Sequence, residues 1–172
     1  MKKFELTGEF VTNIFGKKLF RIRALVAFGD VEAGELGGYV EKEENLSDDG
    51  EAWVSGNAEV SGDAWVSGDA EVSGNARVSG NAEVSGNARV SGDAWVSGDA
   101  DILQITGLGT VHRTTTAFRT PDGVRIVCGC FYGDLDAFRE QVKNTRYGKV
   151  RREYLKFAEL VEIYFGEDKE DD

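Results

Sequence analysis

From Ala52 to Asp99 the chain repeats one six-residue pattern without interruption: Ala, a large or charged residue, Val, Ser, Gly, then Asn or Asp. Val recurs at 54, 60, 66, 72, 78, 84, 90 and 96, and Ile102 continues the series. Alternate residues of a strand face opposite sides. Ala and Val therefore point inward, while the residue between them and the Ser point outward. Gly followed by Asn or Asp supplies the corner, because both tolerate the left-handed backbone of a sharp turn. Three such strands close a triangle, so one coil takes 18 residues, and coils stack at about 4.8 Å. Small Ala alternating with Val fills a narrow interior and leaves no internal ligand cavity.

The 18-residue period also orders the outside. The outward positions stack as Trp53/Glu71/Arg89, Glu59/Arg77/Trp95 and Trp65/Glu83/Asp101. Two columns place Glu beside Arg, and one places Arg77 beside Trp95. Charge pairs and cation–π contacts of this kind contribute roughly 0.2–1 kcal/mol each. Glu83 with Asp101 is the one unfavourable pair. At the corners, Asn57/Asn75/Asp93, Asp63/Asn81/Asp99 and Asp69/Asn87 never set Asp on Asp.

Upstream, Phe4 to Val11 and Lys18 to Phe28 read as strands joined by a turn around Asn13 to Gly16. Val40 and Leu46 are six apart, but Val54 follows eight later, so a first, imperfect coil carries a two-residue bulge. This segment is expected to cap the solenoid and hide its first edge. Downstream, Thr114 to Thr120 and Val124 to Phe131 read as a hairpin around Pro121-Asp122-Gly123. Asp134 is placed to N-cap a helix burying Leu135, Phe138 and Val142. A second helix over 150–165 buries Val150, Tyr154, Phe157, Val161 and Tyr164 along one stripe. The expected organisation is a β cap over 1–45, a β-helix over 46–106, a hairpin with two helices over 107–166, and an acidic tail over 167–172.

The repeats over 52–102 resemble the hexapeptide-repeat superfamily, whose members form left-handed parallel β-helices and usually trimerise. The resemblance implies a mainly β fold, a left-handed parallel β-helix between an N-terminal β cap and a C-terminal α+β module. It leaves function open, since the same coil supports acyltransferases, carbonic-anhydrase-like proteins and scaffolds. Phe4-Glu5-Leu6, Leu36-Gly37-Gly38-Tyr39-Val40-Glu41, Glu44-Asn45-Leu46-Ser47 and Cys128-Gly129-Cys130-Phe131, in this order around the repeats, resemble a set of uncharacterised bacteriophage and prophage proteins. That resemblance implies a phage origin and transfers no activity and no functional residue.

Net charge is −11 and unevenly spread. Residues 51–101 hold nine Asp and Glu against two Lys and Arg, whereas residues 102–166 hold ten Lys and Arg against seven acids. An acidic rod thus carries a mildly basic head, which argues against nucleic-acid backbone binding along the rod. The first residues have the charge of a signal peptide without its apolar run, and no stretch approaches a membrane span. With its two cysteines too close for an ordinary disulfide, the chain fits a reducing bacterial cytoplasm.

Several residues are candidates for chemistry. His112, the single histidine, is the only general base available to an acyl-CoA-dependent transferase, but it lies beyond the coils and reads better as a surface or capping residue. Cys128 and Cys130 lack the spacing and the further ligands of a zinc site and read as buried strand residues; no metal or cofactor is expected. Trp53 and Trp95, near the rod ends, are expected under the caps, while Trp65 at mid-rod is the interface candidate. Arg146, Tyr147, Lys149, Arg151 and Arg152, with Lys143 close by, could grip an anion or pair internally with acids. Expected partners are further copies of the chain, with a trimer favoured, and a host protein or anionic small molecule. The expected function is a non-enzymatic, phage-encoded binding protein that sequesters or blocks a host molecule as counter-defence. A virion or scaffold protein and the acyltransferase are the alternatives.

Overall fold

The eight repeats build the expected rod. In a computed structural model of the chain, which describes residues 2–166, each repeat contributes one two-residue strand. The elements are β1 (Phe4–Thr12), β2 (Lys18–Ala24), β3 (Leu36–Val40), β4 (Trp53–Val54), β5 (Glu59–Val60), β6 (Trp65–Val66), β7 (Glu71–Val72), β8 (Arg77–Val78), β9 (Glu83–Val84), β10 (Arg89–Val90) and β11 (Trp95–Val96). The C-terminal module adds β12 (Ile102–Leu108), β13 (Arg113–Thr120), β14 (Gly123–Cys128), β15 (Phe131–Gly133), α1 (Leu135–Thr145) and α2 (Gly148–Phe165). The acidic tail of the sequence reading lies outside the described residues.

The rod is a parallel β-solenoid with 18-residue turns: Trp53 pairs with Glu71, Glu71 with Arg89, Glu59 with Arg77 and Trp65 with Glu83. Its three faces are β4–β7–β10, β6–β9 and β5–β8–β11, the last extended by β3, β2 and β1. Every repeat Ala and Val is buried in one continuous core. The corner glycines from Gly56 to Gly92 have φ between 60° and 65°, a region other residues enter at a cost. At Gly68 a Cβ would also meet the Gly86 carbonyl oxygen at 3.0 Å, so corner and stacking both require glycine. The Glu–Arg columns form as ion pairs, Glu59–Arg77 at 3.8 Å and Glu71–Arg89 at 3.6 Å.

The two-residue bulge also appears. Val40 pairs with Val60 and Leu46 bridges to Val66, each twenty residues apart rather than eighteen. Above this first coil, β1 and β2 form an antiparallel hairpin and β2 pairs antiparallel with β3. β2 stops at Ala24, short of the expected Phe28. Phe28 instead bridges Val31 and packs edge-on against Trp53, with ring centroids 5.3 Å apart.

Side chains close what backbone cannot. Lys3, almost wholly buried, donates to the carbonyls of Ala52 (2.7 Å) and Gly50 (3.3 Å), and its ammonium lies over the Phe28 ring. The Asn45 amide, also buried, donates to the carbonyls of Ala64 (2.9 Å) and Gly62 (3.0 Å). These carbonyls would otherwise lose a partner worth about 1–3 kcal/mol each.

At the far end the repeat series stops at Val96. Ile102 does not start a ninth rung, because Ile102 to Ile105 lacks the Ser-Gly-Asx corner and runs on as a seven-residue strand. Asp101 does not stack on Glu83; it accepts from the Ser97 amide and hydroxyl and pairs with Arg119 at 3.0 Å. The sheet β12–β13–β14–β15 is antiparallel and lies across the rod end. Phe118 and Val127 on one side join the rod core, whereas Ala117 and Ile126 on the other join the helical core. The hairpin was legible in the sequence; β12 and β15 were not.

Above β9 the missing rung is replaced by one side chain. The Gln104 amide accepts from Ser85 N–H (3.2 Å) and donates to Glu83 C=O (3.1 Å). Thr114 Oγ1 likewise accepts from Asn87 N–H at 3.1 Å above β10. Gln104→Met, which keeps the shape and removes both bonds, is expected to lower stability by about 1–3 kcal/mol. Denaturant unfolding should show this loss, and hydrogen exchange should accelerate at Ser85 more than at Ser67 in the previous rung.

Candidate ligand-binding clefts of the C-terminal module

The two helices owe their arrangement to local chemistry. Asp134 caps α1 by accepting from Ala137 N–H at 2.8 Å, and Phe138 and Val142 are buried as expected. α1 ends because Arg146 is extended, Tyr147 is extended too, and Gly148 (φ 58°) opens α2. Arg151 then folds back, its Nε donating to the Arg146 carbonyl (2.7 Å) and its Nη2 to the Lys143 carbonyl (2.8 Å). It thereby satisfies carbonyls that the end of α1 leaves open. On α2, Tyr154, Phe157, Ala158 and Val161 are buried. Tyr164 is not on the buried stripe: it is substantially exposed and its hydroxyl donates to the Asp99 carbonyl at 2.7 Å.

Two clefts flank α2. The first, of about 610 Å³, lies between the β12–β13 turn, the β14–β15 turn and the helix junction. Arg113, Arg146 and Tyr147 line it together with Cys128, Cys130 and Tyr132. Neither Arg113 nor Arg146 forms an ion pair with a described residue. Tyr147 is 72% exposed, and one face of its ring is held by the Arg151 guanidinium at 5.1 Å. The second, of about 480 Å³, has an apolar floor of Ile105, Leu108, Phe157 and Leu160, with Lys149, Arg152, Lys156 and Glu153 at its edge.

The basic cluster read from the sequence is therefore divided. Arg146 and Tyr147 face the first cleft, Lys149 and Arg152 the second, and Arg151 serves the helix junction. The cause is the break between the helices: Arg146 and Tyr147 stand in the extended link, whereas on α2 Lys149 and Arg152, three residues apart, share one side and Arg151 points to another. Arg113 went unnoticed in sequence because it joins the cleft only through the antiparallel return of β13.

His112 sits in the β12–β13 turn with φ 53°, its ring Nδ1 3.0 Å from the Gly107 carbonyl. Among the described residues no carboxylate hydrogen-bonds to it. Cys128 and Cys130 do not share a strand face: β14 ends at Cys128, Gly129 turns with φ 58°, and Cys130 is exposed. Both are free thiols, and among the described residues no group of three possible metal ligands exists. Trp65 is 45% exposed, as its outward phase requires. Trp53 is buried under the N-terminal cap, but Trp95 is 43% exposed rather than covered, and it forms no cation–π pair with Arg77. The hairpin arginines are spent locally, Arg119 on Asp101 and the Phe165 ring, Arg125 on the Val124 carbonyl.

Together these features define a β-solenoid repeat protein that carries a separate α+β head. Residues 82–98, just short of one coil, match the family model of the YdcK β-solenoid repeat. No curated protein matches the chain. No helix among the described residues is long and apolar enough to cross a membrane.

Tyr154 forms part of the first cleft's wall, and burial pushes its phenol up to about 12, with the neighbouring Cys128 thiol adding to the effect. The hydroxyl thus remains protonated in the fold at pH values where the unfolded chain, near pH 10, ionises. Its contribution is fully present below pH 10 and is lost as pH rises toward 12. Urea unfolding of Tyr154→Phe should show a shallower fall in stability over that window than the parent protein.

Proposed function

We propose that the protein is a non-enzymatic binding protein whose head holds a phosphorylated aromatic ligand of the nucleotide type in the first cleft. The observation that carries this reading is the presence on one cleft of Arg113 and Arg146, neither in an ion pair with a described residue, and of the exposed Tyr147 ring. Guanidinium groups suit phosphate through directional, charge-assisted hydrogen bonds. Arg151 holds one face of Tyr147 and is itself tied to two carbonyls. The ring is thereby fixed before any ligand arrives, which lowers the ordering cost of binding. An acidic rod repels the same anion, so capture is confined to the head. The resemblance to phage proteins supports a host nucleotide as the cargo, with sequestration as counter-defence as the proposed purpose.

The His112 ring nitrogen that meets a backbone carbonyl has no acidic partner to orient it for base catalysis.

Calorimetric titration with linear and cyclic purine and pyrimidine nucleotides tests the proposal. Binding is expected for at least one of them, and Arg146→Ala or Arg113→Ala should weaken it roughly tenfold or more, as loss of a charged hydrogen bond predicts. Arg151→Ala should differ in kind, lowering the melting temperature because α1 loses the donor to its last carbonyls. Flat traces across the whole panel would overturn the reading.

A further inference from the structure

We infer that two copies of this chain associate side by side with their rods antiparallel, each inserting Trp65 into the apolar groove between β12 and α2 of the other. The groove floor is Ile105, Leu108, Phe157 and Leu160, with Leu160 40% exposed in the single chain. Arg152 on its edge has no acidic partner among the described residues. Among the described residues Lys149 and Lys156 pair only with Glu153 (3.8 Å) and Glu159 (2.9 Å) on the same helix, and both lysines are exposed, so these pairs hold weakly. An apolar floor whose edge sets three cations against the one carboxylate of Glu153 fits an aromatic anchor set among carboxylates.

The chain carries that anchor. Trp65 stands out from β6 with Asp63 and Asp69 at the corners before and after it and Glu83 beside it on the next rung. Asp63 meets Lys42, while Asp69 and Glu83 form no ion pair with a described residue. Placement completes the argument. β6 and β9 form one flank of the rod, and Gln104 of β12 hydrogen-bonds directly onto the end of that flank. Trp65 lies one rung before β9 on that flank, and β12, which partly lines the groove, meets the flank beyond β9. A twofold axis crossing that side midway exchanges them, so both insertions form together and the assembly closes at two copies. Three rods standing parallel, as the hexapeptide resemblance implies, would set Trp65 against a neighbour's rod at its own height and leave the groove empty. The antiparallel pair also brings each basic head against an acidic rod, which accounts for the charge asymmetry of the chain.

Sedimentation equilibrium of the full-length protein should show a dimer that weakens as salt rises. Trp65→Asp and Leu160→Asp, both at exposed positions, should each reduce self-association roughly a hundredfold or more, as loss of a central anchor does. The decisive measurement is their equimolar mixture. The Trp65→Asp chain keeps an intact groove and the Leu160→Asp chain keeps an intact Trp65, so the mixture should associate more tightly than either variant alone. If circular dichroism shows that Leu160→Asp is unfolded, Arg152→Glu takes its place in the mixture. A monomeric wild type, a trimer, or a mixture that associates no better than its components would overturn the inference.

Discussion

A parallel solenoid leaves unpaired backbone at both of its ends, and the rest of this structure depends on how those groups are satisfied. Inside the rod each rung serves the next: Trp53 N–H donates to Ala70 C=O, Ser55 to Val72, Asn57 to Gly74. At the ends no next rung exists, and exposed edges of this kind invite pairing with foreign strands. The chain answers with the β1–β2 hairpin on one face and single side chains elsewhere. Lys3 and Asn45 donate at the start; Thr114 accepts and the Gln104 amide does both at the finish. The Gln104 side chain is a planar amide whose C=O accepts from Ser85 N–H while its NH2 donates to Glu83 C=O, and in making both bonds it stands in for a peptide group. By holding β12 to the rod end, these contacts also position the head that carries both clefts.

The rod was legible in the sequence because its period is short and its chemistry local. Ala52 to Val96 needs only alternation, corner glycines and an 18-residue return to be drawn correctly, including the Glu–Arg columns and the two-residue bulge before Val54. Its ends were not legible in the same way. Asp101 and Ile102 continue the pattern in composition, yet the chain turns away there because the following residues supply no corner. Nothing near Gln104 in sequence announces that its amide meets Ser85. The rods' outward positions illustrate the same limit: Trp53, Trp65 and Trp95 are equivalent in phase, but Phe28 and Gly37 close over Trp53 alone.

The head shows why a run of charges is a poor guide to a site. Arg146 to Arg152 reads as one basic cluster, but the extended link and the first turn of α2 distribute it to two clefts and one structural contact. Arg113, which completes the first cleft, lies more than thirty residues away in the sequence. Asp134, Phe138 and Val142 were recoverable since capping and amphipathic spacing are local rules. Convergence of Arg113 with Arg146 depends on how β13, β14 and the helices stack, which no local rule supplies.

The division of the rod into three faces makes its length a form of angular control. Every repeat advances the chain by one face, and the caps hydrogen-bond to rungs at the two ends. Losing or gaining 18 residues would shorten or lengthen the rod while leaving both caps in the same orientation. Losing six would preserve every corner and every buried Ala and Val, yet turn the head by a third of a revolution against the N-terminal hairpin. Near-identical repeats are the easiest segments of a chain to gain or lose, so selection on this rod acts on the phase between its two ends as much as on its stability. Eight repeats, counted from the bulge, set the dial that keeps β12 above the flank bearing Trp65.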